Sequence, residues 1–93
     1  MKVGEVYRIF YKDNLGKPKI KSLYFLKKEG LMYFFYNAFN NKFEAYNINL
    51  IDRIESRKIH PSKTGTGYDV PPIELGEILK RFDEQWLMMK LLK

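Results

Sequence analysis

The strongest constraint in this sequence is its punctuation. Through residues 1–57, short runs rich in β-branched and aromatic residues are cut at close intervals by tight-turn signals. Val6 to Lys12 predicts a strand, with Tyr7, Ile9 and Tyr11 on one face and Val6, Arg8 and Phe10 on the other. Asp13-Asn14-Leu15-Gly16-Lys17-Pro18 is dense turn chemistry, since Asn and Gly tolerate positive φ and Pro18 donates nothing to a ladder. Lys19 to Lys28 predicts the returning strand, with Ile20, Ser22, Tyr24 and Leu26 opposite Lys21, Leu23, Phe25 and Lys27. Glu29-Gly30 is a two-residue turn, and Leu31 to Tyr36 a third strand, apolar on both faces. A strand of that kind is central or has one face covered from outside the sheet. Asn40-Asn41 marks another turn, Phe43 to Asn47 a fourth strand and Leu50 to Ser56 a fifth, with a single helical turn expected over Asn47 to Leu50.

Five short strands joined by tight turns predict a small SH3-like or Sm-like barrel, because closing the sheet removes its edges and buries alternate residues. Residues 58–71 read as a polar loop running into Pro71-Pro72, with Asp69 a candidate helix N-cap and Glu74 in the first turn. Residues 72–92 then change period. Leu75, Leu79, Phe82, Trp86 and Met89 recur at spacings of four, three, four and three, which is one apolar stripe on a helix. The expected class is mainly β with one C-terminal amphipathic helix (α+β), in a single domain spanning 1–93. The helix end is apolar nearly all round. Trp86, Met88, Met89, Leu91 and Leu92 are therefore candidate interface residues, for a homodimer or a protein partner, with burial inside one chain as the alternative.

Several chemistries lack their parts. There is no cysteine, which removes disulfides, thiolate ligands and thiol nucleophiles. His60 is the one histidine, and no spaced carboxylate cluster accompanies it, so no metal and no cofactor are expected. Ser62-Lys63-Thr64-Gly65-Thr66-Gly67 lacks the spacing of a phosphate-binding loop and reads as a linker. Asp13, Glu29, Glu44, Asp52 and Glu55 fall in turns or alternate with basic residues, and nothing groups a nucleophile with a base. The expectation is a binder and not an enzyme. Without an apolar leader or a membrane-length apolar run, a cytoplasmic location and no membrane contact are expected.

The formal net charge is +6 and unevenly spread, with 13 Lys+Arg against 6 Asp+Glu in residues 1–68 and 4 against 5 in residues 69–93. A basic, aromatic-rich sheet suits nucleic acid or an acidic protein, because cations follow phosphates while rings stack on bases. The candidate nucleic-acid contacts are Arg8, Lys19, Lys21, Tyr24, Lys27, Lys28, Tyr33, Arg53, Arg57 and Lys58.

Ile9-Phe10-Tyr11-Lys12-Asp13 with Gly16, then Lys21-Ser22-Leu23, Leu31-Met32-Tyr33-Phe34 and Leu50-Ile51-Asp52-Arg53-Ile54, resembles the core of WYL-type domains. These are Sm-like barrels of bacterial regulators, often linked to nucleic-acid ligands. Met32-Tyr33-Phe34 stands where that family carries Trp-Tyr-Leu. The resemblance implies a barrel over roughly the first sixty residues. The Lys-, Asn-, Ile- and aromatic-rich composition is similar to that of AT-rich bacteria and their phages. The resulting expectation is a small bacterial or phage accessory module contacting nucleic acid or a nucleic-acid-handling complex. The alternative is a protein–protein adaptor, or a phage-encoded inhibitor of a host protein, acting through the C-terminal helix.

Overall fold

The computed structural model describes residues 1–56 and 70–91, with side chains through 88. Five strands form in chain order: β1 (Val6–Lys12), β2 (Pro18–Glu29), β3 (Met32–Asn37), β4 (Lys42–Asn47) and β5 (Ile51–Ser56). A 3-10 turn over Ile48–Leu50 joins β4 to β5, and α1 spans Leu75–Leu91. The ladder is antiparallel throughout, in the order β4-β3-β2-β1-β5.

The turns form as their residues dictate. The Asp13 carboxylate accepts the amides of Leu15 at 2.8 Å and Lys17 at 2.9 Å, while Gly16 takes φ +77. The Lys17 amide bond holds the Asp13 carboxyl below its usual range. The Asn47 side chain accepts from the Asn49 amide and caps the 3-10 turn.

Order and connectivity together force curvature. In a flat sheet β4 and β5 would lie four strand spacings, about 19 Å, apart. The chain passes from Asn47 to Ile51 in four steps, which reach at most about 14 Å. The sheet therefore curls. Rings of Tyr11 on β1 and Tyr46 on β4 come within 5.3 Å, although three flat spacings would separate those strands by about 14 Å. No β4–β5 ladder is present among the described residues, so the fold is a curled, open five-stranded sheet plus one helix.

Curling splits the apolar residues into two clusters. The inner face buries Tyr7, Ile9, Leu23, Phe25 and Phe35, with Tyr11, Tyr33, Tyr46, Ile51 and Ile54 around them. The outer face buries Val6, Tyr24, Leu26, Phe34 and Tyr36 under Val70, Ile78 and Phe82. Strand β3 is apolar on both faces because it is central and covered by α1.

Three expectations shift. α1 begins at Leu75, not Pro72, and its first backbone bond runs from the Ile78 amide to the Glu74 carbonyl. Residues 70–74 instead form a strap on the outer face. Val70 is 3% exposed, Ile73 packs on the cluster, and the Tyr24 hydroxyl donates to the Pro71 carbonyl at 2.8 Å. Asp69, the expected cap, and most of the expected loop lie outside the described residues. Finally, strict alternation fails in β2. Phe25 pairs with Phe35 but Lys27 with Phe34, so Leu26 is an extra residue and Lys27 turns to the outer face.

Candidate functional site

Ring geometry concentrates where α1 crosses β3 and β4. Phe34 meets Trp86 edge-on at 4.9 Å and Phe82 at 5.6 Å; Phe43 lies 5.7 Å from Phe82, and Phe82 stacks on Trp86 at 6.2 Å. Between them opens a crevice of about 230 Å³, lined by Phe34, Phe43, Glu44, Ala45, Phe82, Gln85 and Trp86. Two cations sit on its rings: the Lys27 ammonium 4.9 Å from Trp86 and the Arg81 guanidinium 5.5 Å from Phe43. Beyond it on α1, Leu87 and Met88 are 59% and 62% exposed. Of the expected interface residues, Trp86 is thus half core and Met88 is open to solvent. The side chains of Met89 and Leu91, and Leu92 itself, lie outside the described residues.

The candidate nucleic-acid contacts do not share one surface. Directly paired residues share a face. Arg8 pairs with Ser22 and Glu55, and Phe10 with Ile20 and Arg53, which places Arg8 and Arg53 on the outer face. Lys19 pairs with Tyr11, Lys21 with Ile9 and Lys28 with Tyr33, on the inner side. Tyr24 is 4% exposed and offers no ring for stacking, and the half-buried Tyr33 packs edge-on against Phe25. Four of the cations have acids close by: Lys19 near Asp13 at 4.0 Å, Lys21 on Glu44 at 2.7 Å, Lys27 near Glu29 at 3.3 Å and Arg53 near Glu55 at 3.5 Å. Arg57 and Lys58 lie outside the described residues. Several of these cations lie over rings at separate places: Lys28 at 6.0 Å from Tyr33, Lys21 at 5.9 Å from Tyr11 and Lys27 at 4.9 Å from Trp86. Arg53 stacks 4.2 Å over Phe10, beside a hollow of about 360 Å³ that Tyr11, Lys19 and Ile20 also line.

A polar cluster that the sequence did not single out closes one end of the inner face. The Glu44 carboxylate accepts from the Lys21 ammonium at 2.7 Å, the Asn37 amide at 2.7 Å and the Tyr46 hydroxyl at 2.5 Å. Burial pushes the Glu44 carboxyl up, but these three donors outweigh it and hold it below its ordinary range. Burial pulls the Lys21 ammonium down, and Glu44 more than restores it. Burial, then Glu44, raises the Tyr46 hydroxyl. Every polar group of the cluster is engaged, so it reads as a structural clamp between β2, β3 and β4. The available signal was an acid placed mid-strand among Phe43, Ala45 and Tyr46.

Among the described residues no group of three His, Cys, Asp or Glu is placed to hold a metal ion. Among those residues, too, no helix is long and apolar enough to cross a membrane. No family model, curated protein or solved structure matches this chain.

Proposed function

We propose that this chain is a small, non-enzymatic binding module whose partner is a protein, docked where the C-terminal half of α1 meets β3 and β4. The observation that carries this reading is the aromatic crevice at Trp86 lying next to the solvent-exposed Leu87 and Met88. Apolar side chains on the far side of a helix whose near side already fills a core gain nothing from the monomer. The curl of the sheet and the three-residue link from β4 to β5 support a barrel of SH3-like or Sm-like type as the scaffold. The WYL-type resemblance is compatible with that scaffold.

The test is a pull-down from bacterial lysate with the intact chain, with and without nuclease, beside the variant Leu87→Asp/Met88→Asp. Retention of a protein after nuclease, and its loss in the variant at an unchanged unfolding midpoint, is the expected result. Loss of all captured material on nuclease treatment, or equal capture by the variant, overturns the reading.

A second reading has one observation in its favour. Arg53 over Phe10, with Lys19 beside the same hollow, is a cation–ring pair of the type that holds a single-stranded nucleotide. Under that reading, oligonucleotide affinity falls steeply with salt and Arg53→Glu abolishes it.

A further inference from the structure

The two edges of the sheet are not alike. β5 carries Asp52, Arg53 and Glu55, and its ladder with β1 is broken by a shift between Phe10 and Tyr11. Charges and bulges of this kind discourage pairing with another strand. β4 runs in unbroken register with β3 from Asn37–Lys42 to Met32–Asn47.

The phase of that ladder settles which amides face out. The Ile48 amide donates to the Leu31 carbonyl at 2.8 Å, which makes 31–48 a hydrogen-bonded pair in continuation of the β3–β4 register. Such pairs alternate in an antiparallel ladder, so 42, 44 and 46 also point their amides at β3. The N–H and C=O groups of Phe43, Ala45 and Asn47 therefore point away from the sheet, and no strand pairs with them among the described residues. Ala45 is directly opposite Phe34, on the outer face, and both line the crevice. A residue paired with Ala45 from a new strand projects on that same face, beside a methyl group too small to block it.

Charge selects the occupant. Lys27 and Arg81 sit on the crevice rings, and Arg81 has no carboxylate within ion-pair distance among the described residues. The Glu44 carboxylate is held by Lys21, Asn37 and Tyr46.

We infer that β4 takes up an extended, acidic peptide segment of a partner protein as a sixth strand, with a bulky apolar side chain set in the crevice at Trp86. This rests on the protein-binding reading and adds its mode: main-chain bonds to Phe43 and Ala45 supply affinity, and the crevice with its two cations supplies selectivity.

The test uses the intact chain. Amide hydrogen exchange is measured first on the free protein, then with a synthetic peptide selected on it from a random displayed library. Fast exchange at Phe43 and Ala45 in the free chain is expected, slowed at least about tenfold by a selected peptide with a bulky apolar residue between acids. Ala45→Pro deletes one outward amide without touching the β3 ladder and lowers peptide affinity about tenfold. Arg81→Glu, which leaves the backbone alone, weakens acidic peptides and serves if the proline variant does not fold. Slow exchange at Phe43 and Ala45 in the free chain means that this edge is already occupied and overturns the inference. So does a failure to enrich any peptide, a selected peptide without acids, or self-association through β4 in sedimentation. Peptides that bind but are lost only with Leu87→Asp/Met88→Asp, and not with Ala45→Pro, overturn strand addition and leave the protein-docking reading standing.

Discussion

Glu44 shows how one acid can fix strands that do not share a ladder. Its carboxylate receives Lys21 from β2, Asn37 from β3 and Tyr46 from its own strand, and its side chain is only 15% exposed. Removing it leaves a half-buried ammonium and an amide without their acceptor. Glu44→Ala is expected to destabilise by about 2–3 kcal/mol in urea unfolding, well above a typical surface change. The pH dependence has a defined sign. A carboxyl held below its ordinary value of 4.5 adds stability above that pH and loses it as pH falls through its folded value. The gap between wild type and Glu44→Gln, measured by thermal unfolding, should therefore narrow as pH drops below 4.5. Gly4 is the second residue with a specific demand. It takes φ +85, and a Cβ there would stand 2.5 Å from the Leu75 Cδ2 atom. Gly4→Ala should cost about 1–2 kcal/mol, from backbone strain and a displaced Leu75. The same substitution at Gly76, where a Cβ meets nothing within 4 Å, should stabilise the helix by up to about 1 kcal/mol.

Among the elements, α1 divides into two working parts. Ile78 and Phe82 are buried in the outer cluster, Trp86 packs at its edge, and Leu87 and Met88 face solvent. Phe82→Ala should cost about 3–5 kcal/mol, because Phe34, Phe43 and Trp86 all lose a ring neighbour. Met88→Ala should change the urea midpoint by less than about 0.5 kcal/mol. A comparable loss at Met88 would place that side chain in the core and remove the ground for a docking surface. The bulge at Leu26 has a parallel effect on β2: it moves Lys27 from the inner to the outer face and so delivers one of the crevice cations.

Across the whole molecule, the sheet carries two hydrophobic faces and cannot stand alone. Without residues 70–93, the side chains of Val6, Tyr24, Leu26, Phe34 and Tyr36 would meet water. A chain ending at residue 69 is expected to be unfolded or aggregated in sedimentation and circular dichroism. Cutting after Gln85 also removes Trp86 from the edge of the core, which makes the pair Leu87 and Met88 the cleaner probe of docking. Because one sheet backs both clusters, unfolding should be a single transition, with fluorescence and far-ultraviolet ellipticity coincident.

The local order of this protein is written in its sequence. Alternation in β1, the turn residues at Asp13–Pro18, Gly30 and Asn40-Asn41, the helical turn after Asn47 and the stripe from Leu75 to Trp86 are short-range consequences of backbone sterics and side-chain period. Where the cations ended up was decided elsewhere. An extra residue at Leu26 reverses every later side chain in its strand, and a curl brings Lys21 to Glu44 across an intervening strand; neither leaves a periodic mark. The crevice at Trp86 is assembled from residues 34, 43, 45, 82 and 86, which only packing of the helix on the sheet brings together. Pattern specifies which residues face inward. The contact between layers specifies what they face, because that depends on register, twist and crossing, which no single segment contains.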